Sequence, residues 1–178
     1  MSIDIPLFKL QDAWRECERH VYHLIHALSA INRFSPLTGD GMDLLTDEQV
    51  QDIDQFILRY TKLQDTMGSR LFNSILNYLY EPVENRPMLD VLHRLEKLGL
   101  MDSAEKWMEV RLVRNRFAHD YANDPEKNAA QLNIAFASAI NLYNMLISIR
   151  TWFTNAYPKL ELGKELPEIP GNWSVFES

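Results

Sequence analysis

The chain has one cysteine, Cys17, in 178 residues. No disulfide can form within it, and a reducing, cytoplasmic setting fits. Glycine is scarce at 6 residues and proline is spread thinly at 8, which favours long helices over many tight turns. No run of about 18 consecutive apolar residues occurs, so no membrane span is expected. Residues 1–10 lack a basic stretch followed by an apolar one and do not read as a signal peptide. A glycine-rich phosphate loop, a Gly-x-Ser-x-Gly elbow and a His-Glu-x-x-His pair are all missing. So is an excess of positive charge: the net charge of −7 argues against binding nucleic acid over the whole surface. It leaves room for a local site.

What is present is apolar periodicity. Apolar residues make up 46% of the chain, enough for one domain with a real core. Leu7, Leu10, Trp14, Cys17, Val21, Leu24, Leu28 and Ile31 recur at steps of three and four and predict a first helix, closed by Ser35-Pro36. Residues 35–45, with Gly39 and Gly41, read as a loop. Thr46 and Gln49 have capping-box spacing. A long second helix follows, carrying Ile53, Phe56, Tyr60, Leu63, Leu71, Phe72 and Ile75, with a soft point at Gly68. Pro82 to Pro87 is a connector. A third helix runs from Met88 to Leu98 and stops at Gly99. Asp102 or Ser103 caps a fourth, with Trp107, Val110, Val113 and Phe117 inward. Asp124-Pro125 starts a fifth, whose inward positions are expected at Leu132, Phe136, Ile140, Tyr143, Ile147 and Trp152. No strand run or internal repeat is seen. The expected architecture is all-α, an up-and-down bundle of four to five helices over residues 1–158. Residues 159–178 form an extended tail on which Trp173 and Phe176 are docking candidates.

The densest chemistry lies in Arg114-Asn115-Arg116-Phe117-Ala118-His119-Asp120-Tyr121. Arg114 suits a phosphate, because its planar fork binds two oxygens and stays charged. His119 suits proton transfer, since an imidazole ordinarily titrates near pH 6.5, whether as base, acid or donor to the phosphate. On a helix Asn115 shares a face with His119 and can orient the ring, while Arg114 shares one with Tyr121. Arg114 and His119 stand about 140° apart round a regular helix. Either the helix loosens before His119, or the two meet across a symmetric dimer. From Lys106 to His119 four cations (Lys106, Arg111, Arg114, Arg116) face one anion, Glu109, making Arg111 and Arg116 candidates for substrate binding. The plainer alternative is a solvated helix end, with Arg114 paired to Glu109 or Asp120, His119 as a C-terminal cation and Tyr121 in the core.

The same spacing occurs earlier, in Arg15-Glu16-Cys17-Glu18-Arg19-His20-Val21-Tyr22. The later copy has Asn directly after its Arg and is preceded by Gly99-Leu100-Met101-Asp102 and Trp107. With that lead-in it resembles the Arg-x4-His-x-Tyr signature of HEPN-domain proteins, in particular HepT-type ribonuclease toxins. The resemblance covers roughly residues 45–155. It implies a helical bundle, a cleft formed in a homodimer, RNA cleavage without metal or cofactor, and a nucleotidyltransferase antitoxin as partner. In HepT-type toxins the tyrosine matching Tyr121 is the one such a partner modifies with AMP. The earlier copy is read as a coincidence.

Other residues offer less. His20, His23 and His26 lie three apart and are read as a solvent-side stripe in preference to a metal site. His93 reads as structural. Cys17 falls on an apolar face, which disfavours a catalytic thiol. The rival functional reading is a non-catalytic module that binds nucleotide or serves a nucleotidyltransferase as substrate-binding partner. A third is a plain helical interaction domain.

Overall fold

The computed structural model describes residues 4–117, 123–169 and 171. These form helices joined by short connections, with no strand among the described residues. α1 (Ile5–Ile31) is capped by Asp4, whose carboxylate accepts from the Leu7 amide at 3.1 Å. Its apolar stripe, from Leu10 through Trp14, Cys17, Val21 and Leu24 to Ile31, is buried.

Residues 35–45, expected to be loop, contain a one-turn helix, α2 (Gly39–Met42), capped by Thr38 and packed against the last helix of the chain. The short polar cap outweighs two glycines once a neighbour supports the turn. α3 (Asp47–Thr66) starts with the capping box read from Thr46 and Gln49, both bonds being formed at 3.0 and 3.2 Å. It passes through one π-helical turn, Met67–Leu71, into α4 (Phe72–Tyr78). The soft point at Gly68 is thus a widened turn rather than a break. α5 (Met88–Lys97) stops at Gly99, which takes a φ of +76°. α6 (Ala104–Arg116) is capped by Ser103 and α7 (Pro125–Ala156) by Asp124.

α1 and α3 run antiparallel. Asp12 and Glu16 meet Arg70, Glu16 accepts from the Thr66 hydroxyl, and His20 meets Arg59. Tyr60 ties three helices at the centre. Its hydroxyl donates to the Val110 carbonyl at 3.1 Å and lies 2.7 Å from the Ser138 hydroxyl. That satisfies the polar end of an otherwise apolar, fully buried ring.

The inward face of α7 differs from expectation. Of the positions named from sequence only Phe136 is buried; Leu132, Ile140, Tyr143, Ile147 and Trp152 are half-buried. The buried stripe is Ala135, Phe136, Ala139, Leu142, Leu146, Ile149 and Phe153. Two of its members are alanines, a residue type the apolar pattern did not single out. By length and composition α7 could cross a bilayer, but half of its most apolar window is buried inside the bundle, as in a core helix.

Beyond α7 the chain lies without regular structure along α1 and α7. Gln11 donates to the Glu161 carbonyl at 2.8 Å, and Arg150 donates to the carbonyls of Gly163 and Lys164 at 3.1 and 2.5 Å. Leu162 is buried. Gly163 passes so close to Trp14 and Glu18 that no β-carbon would fit there. Trp173 and Phe176 lie outside the described residues.

Candidate functional site

α6 positions the expected site residues, and it divides them. Steps of three and four put Trp107, Arg111, Arg114 and Asn115 along one side of the helix. They line a cleft completed by Asp65, Gly68 and Ser69 from the end of α3 and the π-turn. The cleft encloses about 520 Å³, inside the range of roughly 300–1,000 Å³ common for ligand sites. Arg116, two positions beyond Arg114, opens instead onto a separate cavity of about 260 Å³ with Asp54, Phe117 and Gln131. Arg111 and Arg114 are therefore brought together, and Arg116 is not with them.

Arg114 is half-buried. Its Nη2 lies 3.3 Å from an Asp65 carboxylate oxygen, and its Nη1 donates weakly to the Asn115 side-chain oxygen at 3.4 Å. Glu109, one partner suggested by sequence, does not take that place, and Asp120, the other, lies outside the described residues. Asp65 sits 49 positions away, so sequence reasoning had no signal for it. The Arg114 Nε is buried with no hydrogen-bond partner among the described residues, and the Trp107 indole Nε1 is in the same state. Both residues line this one cleft. Buried donors left open are rare in folded proteins, and each costs about 1–3 kcal/mol.

His119 and Tyr121 lie outside the described residues. α6 itself ends at Arg116, with Phe117 as its cap. The spacings that would join Asn115 to His119 and Arg114 to Tyr121 on a helix therefore run past its end. What the described part offers is two guanidinium groups, an amide, an indole N–H and one opposing carboxylate. That set can hold an oxyanion if Arg114 exchanges Asp65 for it.

The earlier copy of the spacing does something else. It lies entirely within α1, where Arg15 is exposed and pairs with Asp12 at 3.6 Å, and Tyr22 is 62% exposed. His20 is buried, which corrects the expected solvent-side stripe. Its Nδ1 faces Arg59 Nη1 at 3.3 Å, and its Nε2 lies 3.7 Å from Glu16. Burial, then the charges of Arg59, Lys62 and Arg19, lower its pKa from 6.5 to about 4. It is a neutral acceptor held in place against Arg59. Only His23 and His26 of the three reach solvent, half-buried and exposed respectively. Burial pushes the Cys17 thiol pKa well up, so the thiol stays protonated and poorly nucleophilic.

Comparison of the chain with protein families, with curated proteins and with solved structures finds no match.

Proposed function

We propose that this protein is a HEPN-type, HepT-like endoribonuclease that acts as a cytoplasmic homodimer, needs no metal, and serves as the toxin of a pair with a nucleotidyltransferase antitoxin. The observation that carries the reading is the cleft beside α6. Arg111 and Arg114 share it with Trp107, the Arg114 Nε and Trp107 Nε1 being buried and unpartnered among the described residues, and α6 leads in sequence to His119 and Tyr121.

The reaction asks for few groups. The ribose 2′-hydroxyl attacks the adjacent phosphorus, the bond to the 5′-oxygen breaks, and a 2′,3′-cyclic phosphate forms. One proton leaves the 2′-hydroxyl and one reaches the departing 5′-oxygen. Arg114 holds the phosphate oxygens and stabilises the charge added in the transition state, with Arg111 beside it. His119 moves a proton, Asn115 orients it, and Tyr121 positions substrate and is the residue open to modification by the partner.

The test is RNA incubated with purified protein in EDTA. The expected result is cleavage to 2′,3′-cyclic phosphate ends that stops when the ribose at the cut site lacks its 2′-hydroxyl. Cleavage that persists on the deoxy substrate would show a different nucleophile and end this reading.

Two observations favour a second reading. The Asp65 carboxylate beside Arg114 and the net charge of −7 both oppose a long polyanion. A non-catalytic module that binds a mononucleotide, or that serves a nucleotidyltransferase as its partner, meets less repulsion. Saturable ATP binding without RNA cleavage would select it.

A further inference from the structure

Trp107 fills the base of the α6 cleft in a way that packing alone does not explain. The residue is fully buried. Its ring is fixed by an edge-on contact with Phe72, centroids 4.6 Å apart. A β-carbon at Gly68 would stand 3.1 Å from the indole Cζ2, tighter than ordinary contact. Cζ2 belongs to the ring edge that also carries Nε1, and Gly68 itself lines the cleft. The glycine and the widened π-turn around it thus admit that edge of the indole to the cleft floor. π-turns of this kind recur at functional sites. The indole N–H is donor only, and here it has no acceptor among the described residues.

We infer that the Trp107 indole N–H is a ligand-binding group, which together with the Arg114 Nε–H donates to the oxygens of one phosphate seated in the cleft. Two donors in one cleft supply direction as well as charge to a bound oxyanion, and both lose their penalty when the anion arrives. Asp65 is the internal competitor, because its carboxylate occupies Arg114 until the phosphate displaces it. This rests on the phosphate reading of the cleft but not on catalysis. An RNA backbone and a free nucleotide both supply it; the shared chemistry is a phosphoryl group with at least two open oxygens.

The experiment follows the indole directly. The full chain, labelled with nitrogen-15 in tryptophan, has four indole groups, of which the Trp107→Phe variant identifies one. Inorganic phosphate, 5′-AMP and a short 2′-O-methyl RNA that cannot be cleaved are titrated separately. The expected result is a saturable shift of the Trp107 signal. The Trp14 and Trp152 signals stay still, since those indoles already donate to Glu18 and to the Leu98 carbonyl. Trp107→Phe, measured where it is folded, should raise the Kd about tenfold, and Asp65→Asn should lower it a few-fold. A shift with AMP alone assigns a nucleotide site, and a shift with RNA assigns a backbone phosphate.

A stationary Trp107 signal during saturable, Arg114-dependent binding overturns the inference, and so does the absence of binding by all three probes. The donor then serves a water. If Trp107→Phe fails to fold, magnetisation transfer from Phe72 assigns the wild-type signal and the titration still decides. Absence of RNA cleavage with the Trp107 shift intact removes the nuclease reading and leaves this one standing.

Discussion

Residues 15–22 and 114–121 carry the same spacing of arginine, histidine and tyrosine, yet the chain treats them differently. The first lies inside a long regular helix. Its Arg15 and Tyr22 face solvent, and its His20 is buried against Arg59 of α3. A straight helix sends positions five apart to different sides, so these groups cannot converge. The second copy begins on α6, but that helix stops at its third residue, Arg116. Arg114 lines a cleft with Arg111 and Trp107, where it pairs with Asp65 of α3.

The largest expected contrast is between the two histidines. On the proposed function, His119→Ala should cut RNA turnover by about 100- to 10,000-fold with melting temperature nearly unchanged. His20→Ala should do the reverse: it should lower the melting temperature by about 4–8 °C, from loss of a buried, hydrogen-bonded ring worth roughly 2 kcal/mol, and leave turnover intact in the cold. Paired melting curves and turnover assays check both, and turnover lost in His20→Ala at a temperature where it is folded would break the contrast.

The pH dependence of stability sharpens it. Folding lowers the His20 pKa from 6.5 to about 4, so the unfolded chain binds the extra proton. The stabilisation is complete above pH 6.5 and is lost as pH falls from there toward 4. Urea unfolding at a series of pH values should show that slope, and His20→Ala should flatten its share of it. A slope identical in the two proteins would assign the effect to other groups.

A smaller effect is expected at Tyr60, the neighbour of Arg59 on the helix that serves both segments. Tyr60→Phe removes the hydroxyl that joins α3 to Val110 and Ser138. It should cost about 1–2 kcal/mol by urea unfolding. No loss would mean that the central tie is dispensable for holding α6. The smallest effect separates two arginines on α6. Arg111→Ala should weaken RNA binding about fivefold and Arg116→Ala less, because Arg116 opens onto the other cavity. Fluorescence titration at fixed salt measures both, and the opposite order would move the binding face to that cavity.

Local signals in the sequence were enough for much of the fold. Thr46 with Gln49, Ser103, Gly99 and Asp124-Pro125 mark helix ends through groups a few residues apart, and the structure uses each of them. The face of α7 was not legible in the same way. Its buried stripe includes Ala135 and Ala139, whose small size matters only once a neighbouring helix packs on them. In the candidate site, Arg114 and Arg111 were found from charge and spacing. Asp65, the burial of His20 against Arg59 and the open indole of Trp107 depend on partners far along the chain, and nothing near them in sequence announces the contact.

The most direct test of the central claim is a paired substitution assay on RNA in EDTA, with Arg114→Ala and Arg15→Ala measured beside the wild type. The account predicts that the first loses cleavage by two orders of magnitude or more, about 100-fold at least, while the second cleaves at the wild-type rate. Equal loss in both, or loss in Arg15→Ala alone, would contradict it.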